Sequence, residues 1–344
     1  MNDWPDPGFQ ALLGSRLPII AAPMAGAAGA ELAVAAILGG AVGSLPCAML
    51  TPEEARGQAD EVRARASGPL NLNFFCHLTP DAVDDGAWRA LLRPYYVELG
   101  IAEPEGGAPA RRPFDAAMCA MVEVVRPALV SFHFGLPEAS LLERVRATGA
   151  LILGNATTVA EARALAARGV DAVIAQGWEA GGHAGRFLGA LPEEQMGLIA
   201  LVPQVADATG LPVIAAGGIG DARGIAAAMT LGATAVQIGT AYLHCPESLI
   251  APAHREGLAS EAAEHTRFTN LYSGGLARGL ASRLTEELGA VRPEAPPFPL
   301  VDVAPLGFRP MWAGQSARLG RAEPARGLTE RLGREALALL GRKG

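Results

Sequence analysis

One histidine of this chain stands where chemistry could be done. In "AQGWEAGGHAGRF" (175–187), His183 follows the pair Gly181 and Gly182, with Gly177 and Gly185 on either side. The apolar, partly β-branched run 170–175 just before it suits a short buried strand. Four glycines within nine positions let the backbone come close to a ligand. An imidazole at such a strand end titrates near neutral pH, so it can accept or orient a proton. The plainer alternative is a ring that only packs beside a ligand.

Other strand ends carry polar atoms where a core would want none. "AAGGIG" (215–220) and "QIGT" (237–240) each end an apolar run. Gly217 and Gly218 precede a helical stretch that starts near Asp221, so backbone N–H groups and the helix dipole favour an anion there. Gly239 and Thr240, reached through Gln237 and Ile238, add an N–H and a hydroxyl. Two such loops on the last two strands point to a phosphate site. Asn71 and Asn73 lie two apart in "NLNFF" and share one side of a strand, while Gln176 ends the run before the His183 loop. These amides either fasten loops or meet the edge of a heteroaromatic ring such as flavin. Pro23 and Met24 in "APMAG" can press a flat backbone against such a ring. His133 in "SFHFG" either shapes a substrate pocket or is a packed ring, and Glu179 reads as a loop anchor.

Composition removes several alternatives. The net charge of −7 and a pI near 5.5 argue against nucleic acid as partner. No apolar run is long enough for a membrane span, and the polar, acidic start lacks a signal-peptide layout, so a cytoplasmic location is expected. The four cysteines, Cys47, Cys76, Cys119 and Cys245, are far apart and show no metal-ligand spacing. The only lysine is Lys343, near the C-terminus. Schiff-base and pyridoxal-phosphate chemistry need a lysine amine within the site, and both are set aside.

The elements that must position these residues repeat a short strand, a glycine-containing loop and an alanine-rich helix. Strands are expected at 19–22, 42–45, 70–74, 129–132, 151–154, 172–175, 213–216 and 235–238. Helical patterns between them, such as 52–66, 137–148, 159–168, 197–209 and 221–231, make parallel βαβ units. Wedges of about 20–25 residues with tight connections predict an α/β fold, a (β/α)₈ TIM barrel. Residues 1–75 and 129–240 would form the barrel. An insertion after the third strand, 76–128, with a Pro/Gly-rich linker at 104–113, would join the C-terminal segment 241–344 in a small helical cap over the barrel mouth.

Four stretches together, "PIIAAPMAG", "SFHFG", "AQGWEAGGHAG" and "AAGGIGDARGI", resemble the nitronate monooxygenases, formerly 2-nitropropane dioxygenases, and specifically their first class. "QIGT", "YSGGLARG" and "WAGQ" extend the resemblance toward the C-terminus. It implies an FMN-dependent flavoprotein oxidoreductase that oxidises alkyl nitronates with O2 to a carbonyl compound and nitrite, through a flavin semiquinone and without reduced nicotinamide. The implied substrate is propionate 3-nitronate, a metabolic poison, which makes the role detoxification. His183 would be catalytic and His133 substrate-binding. Pro23, Met24, Asn71 with Asn73 as alternative or companion, Gln176, Gly181, Gly182, Gly217, Gly218, Gln237, Ile238, Gly239 and Thr240 would contact FMN, with no metal. A substrate carboxylate would need a cation or a tyrosine, and Arg278, Tyr95, Tyr96, Tyr242 and Tyr272 are the candidates. A homodimer is compatible with this reading. The same barrel also resembles NAD(P)H-dependent FMN reductases of the enoyl reductase and quinone reductase type.

Overall fold

A computed structural model describes residues 4–80, 83–103, 111–189 and 192–341. Residues 104–110 of the expected linker and Lys343 lie outside the described residues. Eight parallel strands form the central sheet: β1 (Ile19–Ala21), β2 (Gly43–Pro46), β3 (Leu70–Phe75), β4 (Leu129–His133), β5 (Leu151–Ala156), β6 (Ala172–Gln176), β8 (Val213–Ala216) and β9 (Ala235–Ile238). The short strand β7 (Gly182–His183) belongs to a second sheet. β1 pairs with β9, Ile19 facing Val236. The Ile20–Val42 bridge then joins β1 to the segment leading into β2, where Ala21 N–H donates to Val42 O at 2.9 Å. The sheet thereby closes into the expected barrel.

Alternation along each strand divides the apolar residues between two cores. Leu72, Phe74, Val130, Phe132, Val173 and Val236 face the surrounding helices. Ile20, Val42, Leu129, Leu153, Ile174 and Ile214 fill the barrel interior, and Phe9 and Leu13 of the N-terminal helix Pro7–Leu13 join them. Asn71 and Asn73, lying between Leu70, Leu72 and Phe74, therefore point inward. The helices start for local reasons. Pro52–Arg65, for example, begins with a capping box in which Thr51 Oγ1 accepts from Glu54 N–H and Glu54 Oε2 accepts from Thr51 N–H.

The segments outside the wedges do not all cover the mouth. Helix Ala325–Leu340, expected in the cap, packs on helices Ala30–Gly39 and Ala222–Thr230 and supplies the eighth helix of the barrel. Small residues permit that crossing: a Cβ on Gly39 would lie 2.6 Å from Thr329 Cβ and 2.9 Å from Arg326 O. The remaining cover is part helix and part sheet. Helix Gly86–Leu99 packs Trp88, Leu92, Tyr95 and Tyr96 against Leu271, Leu284, Val301 and Val303 of the C-terminal segment. The hairpin β10 (Thr266–Thr269) and β11 (Ala277–Leu280) pairs antiparallel with β7, Ala277 facing His183. Among the described residues no helix is long and apolar enough to cross a membrane.

The helix crossing gives a paired test. Gly39→Ala should lower stability by about 1–3 kcal/mol, because backbone must shift to admit the methyl group. Gly57→Ala, exposed within Pro52–Arg65 with nothing within 4 Å of its would-be Cβ, should raise stability by about 0.5–1 kcal/mol. Denaturant midpoints of the two variants, read against the parent, check both signs.

Candidate active site

The strand ends β1, β3–β6, β8 and β9 open into one cavity of about 770 Å³, roofed by the C-terminal segment. Pro23, Met24, Asn73, His133, Gln176, Gly181, Gly182, His183, Gly217, Gly218, Gln237, Gly239 and Thr240 all line it. Two of the expected residues do not. Asn71 sits two residues below Asn73 on the same face of β3, one layer deeper in the barrel, where its Nδ2 donates to Ser44 Oγ at 3.1 Å. Ile238 faces the other way, into the core between barrel and helices. Asn73 is left as the amide on the wall, its Nδ2 donating to Ser131 Oγ at 2.9 Å.

Residue 183 is fixed from three directions. Its carbonyl oxygen accepts from Gln176 Nε2 at 2.8 Å and pairs with His133 Nε2 at 3.2 Å. Its ring Nε2 lies 2.8 Å from Ser273 Oγ. The Ser273 hydroxyl also lies 3.4 Å from Gly275 O, so it sits between the ring and the backbone of the C-terminal segment. Gln176 Oε1 accepts from Gly185 N–H at 2.8 Å and from Asn155 Nδ2 at 3.0 Å, so this amide holds the loop together. A Cβ on Gly185 would fall 2.6 Å from His133 Cε1, which explains the glycine there. Beneath the loop, buried Glu161 accepts from Thr157 N–H at 2.8 Å and Phe187 N–H at 2.7 Å. Glu179 acts as the anchor expected of it: its carboxylate accepts from Leu198 N–H at 3.0 Å.

Around the imidazole the wall is aromatic. Ring centroids of Phe298, Trp312, Phe134 and Phe75 lie 5.1, 5.6, 6.0 and 6.2 Å from that of His183. Burial, followed by repulsion from Arg111 and from the protonated forms of His133 and His77, pushes the His183 pKa down to about 3. Burial brings His133 down to about 4. His183 is therefore neutral at neutral pH.

At the other loops, Gly217 (φ +113°) and Gly218 (φ +68°) occupy backbone conformations that favour glycine, and their N–H groups donate to no acceptor among the described residues. The helix N-terminus behind them is not free, since Asp221 caps it by accepting from Arg223 N–H at 2.9 Å. An anion here would rest on loop amides rather than on the helix end. Gln237 Oε1 is buried without a hydrogen-bond partner, a costly state that a ligand donor would relieve. Among the described residues no three His, Cys, Asp or Glu side chains converge to hold a metal. The four thiols are free, and burial raises Cys47 and Cys245 to about 12.

The candidates for a substrate carboxylate fare unevenly. Arg278 is buried away from the cavity, its Nε donating to Trp178 O at 3.1 Å and its guanidinium lying 4.3 Å over the Phe268 ring. Tyr95 and Tyr96 are in the core of the cover, and Tyr242 pairs with Thr329 at 2.7 Å away from the mouth. Tyr272 does line the cavity, hydrogen-bonded to Ser282. Sequence reasoning missed Arg111, His77, Ser273, Phe298 and Trp312. They come from the insertion and the C-terminal segment, where no strand–loop–helix period marks a position as facing the site.

The family model described as nitronate monooxygenase matches residues 8–328. A nitronate monooxygenase from Paraburkholderia phytofirmans is 41% identical over 342 residues, covering 94% of this chain and 93% of the relative. A nitroalkane oxidase from Streptomyces ansochromogenes superposes with a TM-score of 0.88 at 33% identity, covering 97% of this chain and all of that one. A mutant form of FabK from Thermotoga maritima gives a TM-score of 0.73 at 25% identity, with 97% of each chain covered. With a cavity built from the motif-bearing strand ends and a family match over nearly its whole length, the chain belongs to the nitronate monooxygenase family and is an oxidoreductase.

Proposed function

We propose that the protein binds FMN and oxidises alkyl nitronates, with propionate 3-nitronate as its substrate, using O2 and releasing a carbonyl compound and nitrite. The observation that carries this reading is a neutral, aromatic-walled His183 sharing one cavity with loops fit for a flavin phosphate. The fit to the cofactor rests on the orphaned Gln237 Oε1 and the free N–H groups of Gly217 and Gly218. Asn73, Gly182, Gly239, Thr240, Pro23 and Met24 would complete the cradle. When bound, FMN supplies the one-electron chemistry that links the organic substrate to oxygen. The chain itself excludes water with Phe75, Phe134, Phe298 and Trp312, and orients the substrate through His183.

The depressed pKa of His183 favours nitronates over neutral nitroalkanes. A nitronate has already lost its α-proton and needs only a positioned hydrogen-bonding group. A neutral nitroalkane needs a base, and one with a pKa near 3 is weak.

Three outcomes follow from these roles. Purified holoprotein given propionate 3-nitronate should consume oxygen and release nitrite, faster than with 3-nitropropionate by at least about tenfold. Equal rates on the two would contradict the neutral-imidazole role. His183→Asn should retain FMN through desalting while turnover falls by about 100-fold or more; unchanged turnover would remove His183 from the mechanism.

The third outcome concerns stability. His183, His133 and His254 have pKa values lowered from 6.5, to about 3, 4 and 4. The unfolded chain then binds more protons than the folded one below pH 6.5. The stabilisation is complete above that pH and is lost as the pH falls toward 4. Thermal unfolding of the apoprotein should drop between pH 6.5 and 4.5, above the range where the paired carboxylates titrate, and His183→Asn should flatten part of that slope.

A further inference from the structure

One cation on the cavity wall forms no ion pair among the described residues. Arg111, in the insertion after β3, lines the cavity and is only partly exposed. Its guanidinium carbon lies 5.9 Å from the centre of the Phe298 ring, and that ring is 5.1 Å from His183. Its backbone is fixed, because Arg111 O pairs with His77 Nε2 at 3.1 Å. Among the described residues, however, the guanidinium makes no ion pair and no hydrogen bond. Among the described residues, Asp302 offsets part of the burial of its charge and also lines the cavity, but forms no ion pair with it.

Such an arrangement is unfavourable unless an anion completes it. An arginine does not deprotonate in proteins, so burial cannot neutralise it, and a partly desolvated, unpaired charge costs free energy. Its position also separates it from the cofactor phosphate. That phosphate is assigned to the Gly217–Gly218 and Gly239–Thr240 loops, whereas Arg111 is grouped with His183, His77 and Phe298. The second cation on the wall, Arg309, is exposed to solvent, where water and salt screen it.

We propose that Arg111 anchors a carboxylate at the far end of the substrate from its reacting carbon, and so selects carboxylate-bearing nitronates over nitronates with a plain alkyl tail. The planar guanidinium fork suits a carboxylate held through two parallel hydrogen bonds. This inference rests on the nitronate reading above, and its test separates the two.

The holoenzyme and its Arg111→Gln, Arg111→Lys and Arg309→Gln variants are compared on propionate 3-nitronate and propyl-1-nitronate. Arg111→Gln should raise KM for the carboxylated substrate by about 10- to 100-fold and leave propyl-1-nitronate within about twofold, which also shows that the variant folds. Arg111→Lys should recover part of the loss, and Arg309→Gln should change little. Calorimetric binding of succinate, an unreactive dicarboxylate, should be measurable in the parent and lost in Arg111→Gln. Equal effects of Arg111→Gln on both nitronates, or selectivity that follows Arg309, would overturn the anchor. If no nitronate is turned over by any form, the functional reading falls, while succinate binding still decides the anchor: its loss in Arg111→Gln supports it, and its persistence overturns it.

Discussion

Two hydrogen bonds meet at the carbonyl oxygen of His183, one from the end of β6 through Gln176 and one from the end of β4 through His133. A loop rich in glycine has little side-chain packing of its own to define its path. It is held instead by polar side chains that the barrel projects upward at fixed register, and by the pairing of β7 with β11. Every other feature of the site refers to this fixation. The Ser273 contact can meet the ring only because the ring is already aimed, and the aromatic wall can desolvate the imidazole only because its backbone is held. The barrel supplies rigid strand ends, and the C-terminal segment supplies the surfaces that close on them.

The neighbourhood of His183 carries backbone strain as well. Phe134 has φ +65°, unusual for a bulky residue, and is followed by Gly135 at +92°. That turn brings the Phe134 ring to 4.5 Å from His133 and 5.0 Å from Phe298, centroid to centroid. The strand end and the C-terminal segment thus meet in one aromatic cluster, joined from the insertion by His77, 4.8 Å from Phe298. Low local polarity has two effects there: it keeps the histidines neutral, and it raises the cost of leaving Arg111 unpaired. Both effects sharpen discrimination between neutral and anionic ligands.

Much of this could be read from the residues in order. The eight strands appear where short β-branched runs alternate with alanine-rich helices, because a parallel barrel buries both strand faces and leaves continuous apolar runs. The glycine loops at 177–185 and 215–220 were visible because their composition breaks the helical and strand periods sharply. Period-two alternation placed Asn71 and Asn73 on one face but carried no information on depth. Only the barrel layers show Asn73 at the mouth and Asn71 beneath it. Ile238 was included through its neighbours in "QIGT", although alternation turns its side chain outward. The C-terminal helix looked like cover because it follows the cover in sequence, yet it packs on Gly39 and closes the barrel. β7, β10 and β11 are too short to carry a period, and Arg111 falls within the expected linker 104–113, which has none. Positions defined by tertiary closure, rather than by a repeating local pattern, were the ones that could not be read.

On the reading proposed above, a nitronate, and not a nicotinamide, delivers electrons to a flavin held in this cavity beside His183. The most direct measurement is anaerobic: the flavin absorption spectrum of the purified holoprotein is recorded after mixing with propionate 3-nitronate, with NADH and with NADPH. A rapid spectral change with the nitronate and an unaltered oxidised spectrum with either nicotinamide are expected. Bleaching by NADH or NADPH, with no response to the nitronate, would contradict that reading and place the chemistry with the nicotinamide-dependent reductases that share the barrel.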